Sequence, residues 1–287
     1  MSPGTVTSAP TPARRAEALA APPARFRDLL AAEWIKVWSL RSTPWTLLLS
    51  TLFVVGTATM EALDDYRDFP NMSPEAQREP MFALSDAFPL MGYWALALVA
   101  VSAGAIVVVG EYGSGLIRTT TVAVPARGSV VLAKAVVVAV LWTVVGTLAA
   151  SGAFAVSQAI LSGRGAAVSI TEPVALRALA ASALLPTVCA LIGLGLGVLI
   201  RHAPTTMVTG ILTLLMLPQF FSIRTQWTAE INHAMVLTAW QRLTAMWVPP
   251  PDDGFYRPDV AGSWIVYAAW PVVAIVVALI VVRRRDV

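Results

Sequence analysis

Long apolar runs separated by short polar breaks fill most of the chain. Runs near Pro44–Met60, Phe88–Val109, Val130–Ile160, Val174–Ile200, Pro204–Phe221 and Ser263–Val282 each approach the length a helix needs to cross hydrocarbon, about 20 apolar residues with a range of about 17–25. The first sits at the short end of that range. The third and fourth exceed one crossing, so they include interfacial turns. Ionisable residues enter these two runs only near their ends, as Lys134 and Arg177. The pattern predicts six transmembrane helices.

Ahead of the first run, RFRDLLAAEWIKVWSLR (25–41) has a different period. At helical spacing Phe26, Leu29, Leu30, Trp34, Val37 and Leu40 gather on one side, and Arg25, Asp28, Lys36 and Ser39 on the other. Arg27, Glu33 and Arg41 interrupt the edges of the stripe. A basic helix with two tryptophans, too polar to span, suits the plane of the membrane interface. Ser42-Thr43-Pro44 ends it, and Pro44 fits the first turn of the next helix. Residues 1–24 are rich in Ala, Pro, Ser and Thr, and five prolines deny them a long helix. They lack the apolar run of a secretory signal and read as a disordered cytoplasmic tail.

Composition agrees with the pattern. Of the 287 residues 57% are hydrophobic and only 13% charged, and the mean hydropathy is +0.70. A soluble domain carries about 25% charged residues, so a soluble enzyme and a disordered chain are both excluded. The single cysteine, Cys189, permits no internal disulfide. Charge placement sets the orientation. With the N-terminus inside, thirteen of the 20 basic residues fall on the cytoplasmic side: Arg14, Arg15, Arg25, Arg27, Lys36, Arg41, Arg118, Arg127, Lys134, Arg201 and Arg283–Arg285. Twelve of the 17 acids fall outside. Cytoplasmic enrichment of Lys and Arg is the expected bias, and an even number of spans puts both termini inside.

The resulting loops differ in character. The first outer loop, Glu61–Ala87, is acidic, and Ser73-Pro74-Glu75 marks the start of a short outer helix. The long outer loop, Ser222–Gly262, contains a stretch, Trp227–Met246, of helical length, closed by the breaker at 249–254. Its Trp227, Trp240 and Trp247 predict a position along the outer interface. The inner loop between spans two and three is short, polar and glycine-containing. Spans one to three and four to six show no internal repeat.

Catalytic signatures are missing. There is no GxxxxGK[ST] phosphate loop. Gly193-Leu194-Gly195-Leu196-Gly197 lies inside an apolar run, where Gly193 and Gly197 read as a close helix contact rather than a nucleotide cradle. His202 and His233 stand in no metal motif. No span carries a charge near its centre, which argues against a proton-driven carrier. Thr206, Thr209 and Thr213 share a narrow arc of span five; they bond their own backbone or a neighbouring helix, or else line a pathway.

Two stretches resemble a known family. AAEWIKVWSLRSTPWTLLL (31–49) resembles the leading helix and first span of ABC-2 type permeases of ATP-binding cassette transporters, particularly those of high-GC Gram-positive bacteria. GEYGSGLIRTTTVAVPARGSVVLAKAVVV (110–138) resembles the family's most telling loop, with Glu111, Gly113, Gly115, Arg118, Thr119, Thr120, Arg127 and Lys134 in its pattern. The resemblance covers residues 26–285 and implies an all-α integral membrane fold: an amphipathic interfacial helix (25–43), then a six-span permease domain (44–287), both termini cytoplasmic, in a bacterial plasma membrane. It implies an exporter subunit that is no enzyme and binds no cofactor itself. ATP would be bound by a cytoplasmic ABC ATPase subunit docking on the Glu111–Arg127 loop, beside a second permease subunit, a copy or a sibling. The partners are then the ATPase, the second permease and the lipid bilayer, with no nucleic acid. The family shares no substrate motif. A non-transporting membrane scaffold or sensor of the same fold is the alternative. An intramembrane enzyme built on His202, His233 and Cys189 is a third, which the lack of a convergent acid, base or metal set disfavours.

Overall fold

In the computed structural model, residues 25–75, 77, 80–113, 127–244 and 254–284 are described. Most of these residues are helical, with no strand among them. Helix α1 (Phe26–Ser39) leads into α2 (Ser42–Asp68), followed by a 3₁₀ turn at Phe69–Asn71. Helices α3 (Pro80–Ala87) and α4 (Leu90–Gly113) form the second hydrophobic rod. Helices α5 (Arg127–Ser162) and α6 (Pro173–Ile200) follow. Helix α7 (Ala203–Ile211) continues as a π turn at Leu212–Met216 and a 3₁₀ turn at Leu217–Phe220. Two short helices, α8 (Gln226–His233) and α9 (Val236–Leu243), precede α10 (Val260–Arg284).

Six helical rods are long and apolar enough to cross a membrane: Ser42–Asn71, Phe82–Gly113, Gly128–Ser162, Pro173–Ile200, Ala203–Phe220 and Val260–Arg284. They coincide with the six apolar runs; the first is extended furthest, to Asn71, and the fourth and fifth match to within one residue at each end. The 36-residue α5 is about 54 Å long at 1.5 Å per residue. That exceeds the roughly 30 Å hydrocarbon core of a bilayer.

Helix α6 is the axis of the bundle, with α4 and α5 packed along it and α10, α9 and α7 around the rest. Its glycines explain the close approach. A Cβ on Gly193 would run into the Val101 carbonyl of α4, and one on Gly104 into the Ala190 carbonyl of α6. Gly146 of α5 meets the Ala183 carbonyl in the same manner. Backbone-to-backbone packing of this kind is how helices associate where no water drives them together. Gly197 also faces α4, its Cβ direction 3.1 Å from the Ala105 carbonyl.

Two expectations about the loops are corrected. In the first outer loop an α-helix runs from Pro80, and ahead of it Gln77 N–H donates to the Ser73 carbonyl (3.0 Å) across the turn at Pro74 and Glu75. Buried Gln158 of α5 explains the position of α3, donating to the Ala83 carbonyl (2.9 Å) while its own oxygen accepts from Val168 N–H (2.7 Å). The stretch from Trp227 is two helices, because the Asn232 amide is drawn to the carbonyls of Pro218 (2.9 Å) and Phe221 (3.0 Å). Trp270 Nε1–H holds the Ala234 carbonyl at the break (2.7 Å). Trp240 does not lie at an interface. It is fully buried, stacked on Tyr93 with centroids 4.9 Å apart, and donates to Ser182 Oγ at 3.0 Å. Trp227 is exposed, and Trp247 and the breaker up to residue 253 lie outside the described residues.

Candidate functional site

Helix α1 starts with Asp28 accepting the Arg25 backbone N–H (3.0 Å), a first-turn carboxylate that also suits the positive helix end. Its buried face is Leu30, Glu33 and Val37, not the whole predicted stripe. Val37 packs with Val137 and Leu141 of α5. Trp34, Ile35 and Trp38 point away from the bundle and are exposed. The predicted stripe is therefore split: Leu29, Leu30 and Val37 are buried or half-buried, and Phe26, Trp34 and Leu40 are exposed. Glu33, which interrupts the apolar pattern, points into the bundle.

Glu33 belongs to a closed ring of four charges. Lys134 Nζ of α5 lies 2.7 Å from Glu33 Oε2 and 2.6 Å from Glu111 Oε1 of α4. Lys36 Nζ of α1 lies 2.8 Å from Glu33 Oε1 and 2.8 Å from the same Glu111 Oε1. Each charge thus has two opposite neighbours, and the ring carries no net formal charge. Glu33, Glu111 and Lys134 are 3%, 7% and 4% exposed. Lys36 is the open corner. Burial pulls its ammonium down, but hydrogen bonds and charge from Glu111 and Glu33 outweigh that and hold it above the ordinary lysine value. The second Glu111 oxygen, Oε2, is buried with no partner among the described residues.

The ring joins three elements at one end of the bundle. Glu111 sits in the last turn of α4 and Lys134 in the second turn of α5, so the two residues flank the segment between those helices. An anion at a helix C-terminus is unfavourable on its own; the two lysines offset it. A second tie lies alongside. Arg201 ends α6 in the left-handed conformation (φ 60°) and lays its guanidinium over the Tyr112 ring, 4.9 Å from the centroid.

The other predicted residues fall as follows. Gly113 is the last residue of α4. Gly115, Arg118, Thr119 and Thr120 lie outside the described residues, and Arg127 opens α5 with its side chain outside them. Thr206 is buried and donates to its own backbone at the His202 carbonyl (2.8 Å). Thr209 and Thr213 are half-buried, and the π turn at 212–216 takes Thr213 off the α-helical register that defined the arc. His202 pairs with Thr205, His233 faces the Tyr256 carbonyl, and Cys189 is buried in α6. These three do not converge. Among the described residues no group of three His, Cys, Asp or Glu side chains is placed to hold a metal ion.

Sequence reasoning named Glu111 and Lys134 but not Glu33 or Lys36 as their partners. The available signal was Glu33 itself, a charge on the apolar side of an amphipathic helix, with Lys36 one turn on. In chemical terms the ring pairs each charge with two opposite ones and leaves Glu111 Oε2 as its one oxygen without a partner among the described residues. It is a clamp: it fixes the N-terminal helix against both helices that border residues 114–126. No protein-family model matches the chain, and neither does any curated protein.

Proposed function

We propose that this chain is the transmembrane permease subunit of an ATP-binding cassette exporter, driven by ATP hydrolysed on a separate cytoplasmic subunit. The observation that carries the reading is the Glu33–Lys36–Glu111–Lys134 ring. A motor bound at residues 114–126 pulls on the ends of α4 and α5, and the ring conveys that pull to α1 without loss in flexible side chains. The loop's likeness to ABC-2 type permeases supplies the identity of the motor. The basic bias of this end supports placing it, and both termini, on the cytoplasmic face of a bacterial plasma membrane. The outward Trp34, Ile35 and Trp38 support an interfacial position for α1, with aromatic rings toward lipid and the ring of charges toward protein.

The test is co-purification followed by coupling. The tagged chain, extracted from its native membrane, should bring down a stoichiometric ABC ATPase and a second permease copy or sibling. In proteoliposomes, Glu111→Lys should leave basal ATP hydrolysis in place and abolish its dependence on transport. An isolated chain with no ATPase partner, or full coupling in the Glu111→Lys protein, defeats the reading.

A further inference from the structure

At the end of the bundle opposite the charge ring, a pocket of about 490 Å³ opens between the start of α4, the irregular end of the fifth span and the helices α8 and α9. Its volume lies in the range of small-molecule sites. Trp94, Phe221 and Ile223 form an apolar wall, and Asn232, Gln241 and Arg242 a polar one. The wall is held in place: the Asn232 amide fixes both the Pro218 and Phe221 carbonyls. The π and 3₁₀ turns follow from Pro218, which has no N–H for the helical ladder.

Two side chains that line this pocket each carry a buried donor without a partner among the described residues. Arg242 Nε and Trp94 Nε1 are both buried, and neither has a hydrogen-bond partner among the described residues. Buried donors are normally satisfied, and an unsatisfied charged one is the costliest kind. Nearby Arg177 adds a second positive charge, close enough for the two guanidinium groups to repel. Its Nε is taken by the Leu243 carbonyl at 3.0 Å. Neither arginine forms a salt bridge among the described residues. One arginine, Arg242, therefore lines the pocket beside Trp94, with the positive charge of Arg177 close behind it. What satisfies all of this at once is an acceptor-rich anion attached to an apolar body.

We propose that this pocket binds an amphipathic anion, a carboxylate or phosphate group on a compact apolar frame, with Arg242 and Trp94 as its hydrogen-bond donors. The same chemistry is offered by the headgroup of an anionic lipid and by a free amphiphile. The inference is independent of the ATPase reading, since the pocket lies within one chain and at the far end from the ring.

The test uses the full chain in phosphatidylcholine nanodiscs, without any ATPase, and calorimetric titration with 2-naphthoate and its neutral counterpart 2-naphthylmethanol. The acid should bind about tenfold more tightly or better, the ratio a charged hydrogen bond supplies. Arg242→Gln should erase that preference, Arg242→Lys should keep part of it, and Trp94→Phe, which retains the ring, should weaken the acid about threefold or more. Trp227→Phe, an exposed position on α8, should change nothing. Ligand-free melting of each variant identifies any that fail to fold, and Trp94→Phe carries the test if Arg242→Gln is one of them. Replacing part of the lipid by phosphatidylglycerol separates the sources: competition with naphthoate assigns the site to a headgroup, and undiminished binding assigns it to a free amphiphile. Equal affinity for acid and alcohol, or an unchanged preference in both Arg242→Gln and Trp94→Phe, overturns the proposal. Because no ATPase is present, that failure leaves the coupling reading untouched.

Discussion

Replacing Lys134 with methionine isolates what the ring contributes. The Lys134 side chain is 5% exposed, and its ammonium bridges two carboxylates, at 2.7 Å and 2.6 Å. Methionine fills nearly the same volume, so packing is kept while the charge goes. Glu33 Oε2 then loses its partner, and Glu111 keeps only Lys36. Removing one member of a buried ion pair typically costs about 3–5 kcal/mol, because the remaining charge stays buried without compensation. Lys36→Met gives the contrast. Its side chain is 42% exposed, so water reaches that corner, and both carboxylates keep Lys134. Its loss should cost about 1 kcal/mol or less, the worth of a solvent-exposed pair.

The measurement is the folded fraction in mixed micelles as dodecyl sulfate is raised, read by tryptophan fluorescence. Lys134→Met should shift the unfolding free energy by at least about 2 kcal/mol more than Lys36→Met, the difference between the buried and exposed cases. The fourfold variant Glu33→Leu, Lys36→Met, Glu111→Leu and Lys134→Met should regain most of the loss, since apolar replacement of a whole buried ion cluster is often neutral. A Lys134→Met protein within about 1 kcal/mol of the parent, or no worse than Lys36→Met, refutes the reasoning, because the carboxylates would then have found water or another partner.

Three further outcomes follow from the packing and the charges. Gly193→Ala should destabilise by about 1–3 kcal/mol in the same assay, since the new methyl meets the Val101 carbonyl, whereas Gly56→Ala, with nothing within 4 Å, should be neutral or slightly stabilising. Trp240→Phe should cost about 1–2 kcal/mol by orphaning Ser182 Oγ while keeping the Tyr93 stack, and Trp240→Ala about 3–5 kcal/mol; near-neutrality of both would mean α9 is not docked in the core. Lys36 contributes fully below its unperturbed value of 10.5 and loses its contribution as pH rises through the higher folded value. The alkaline arm of the stability profile should therefore be less steep in Lys36→Met, and identical profiles would contradict the ring geometry.

The spans were legible because a bilayer imposes a length on every helix, and six apolar runs of that length announce themselves without any knowledge of packing. The ring was only half legible. Glu33 looked like a defect in a stripe because its buried partner, Lys134, lies 101 residues further on, and no local period encodes that pairing. Trp240 misled in the opposite way. A tryptophan in an outer loop fits an interfacial belt, yet Val236, Leu237, Trp240 and Leu243 form a complete apolar face of α9, and that spacing already pointed to burial. The break before α9 had no glycine or proline to announce it. It comes from the Asn232 and Trp270 hydrogen bonds, which are tertiary.

One helix carries both sites. Trp94 and Glu111 are about 26 Å apart along α4, at 1.5 Å per residue. Between them lies Gly104, against the Ala190 carbonyl of α6, with Gly193 answering from the other helix. An axial slide of α4 would replace each glycine by a side chain and force it into a carbonyl, so sliding is blocked. Tilting about the contact is not. A displacement of α4 at the ring should therefore reach the pocket end with the opposite lateral sense. Spin-label pairs at Gly110 and Leu132 at one end, and at Met91 and Ile170 at the other, measure both movements in one protein. Breaking the ring by Lys134→Met should lengthen one distance and alter the other. A change confined to the Gly110–Leu132 pair would mean that α4 bends at its end rather than pivoting on its glycines.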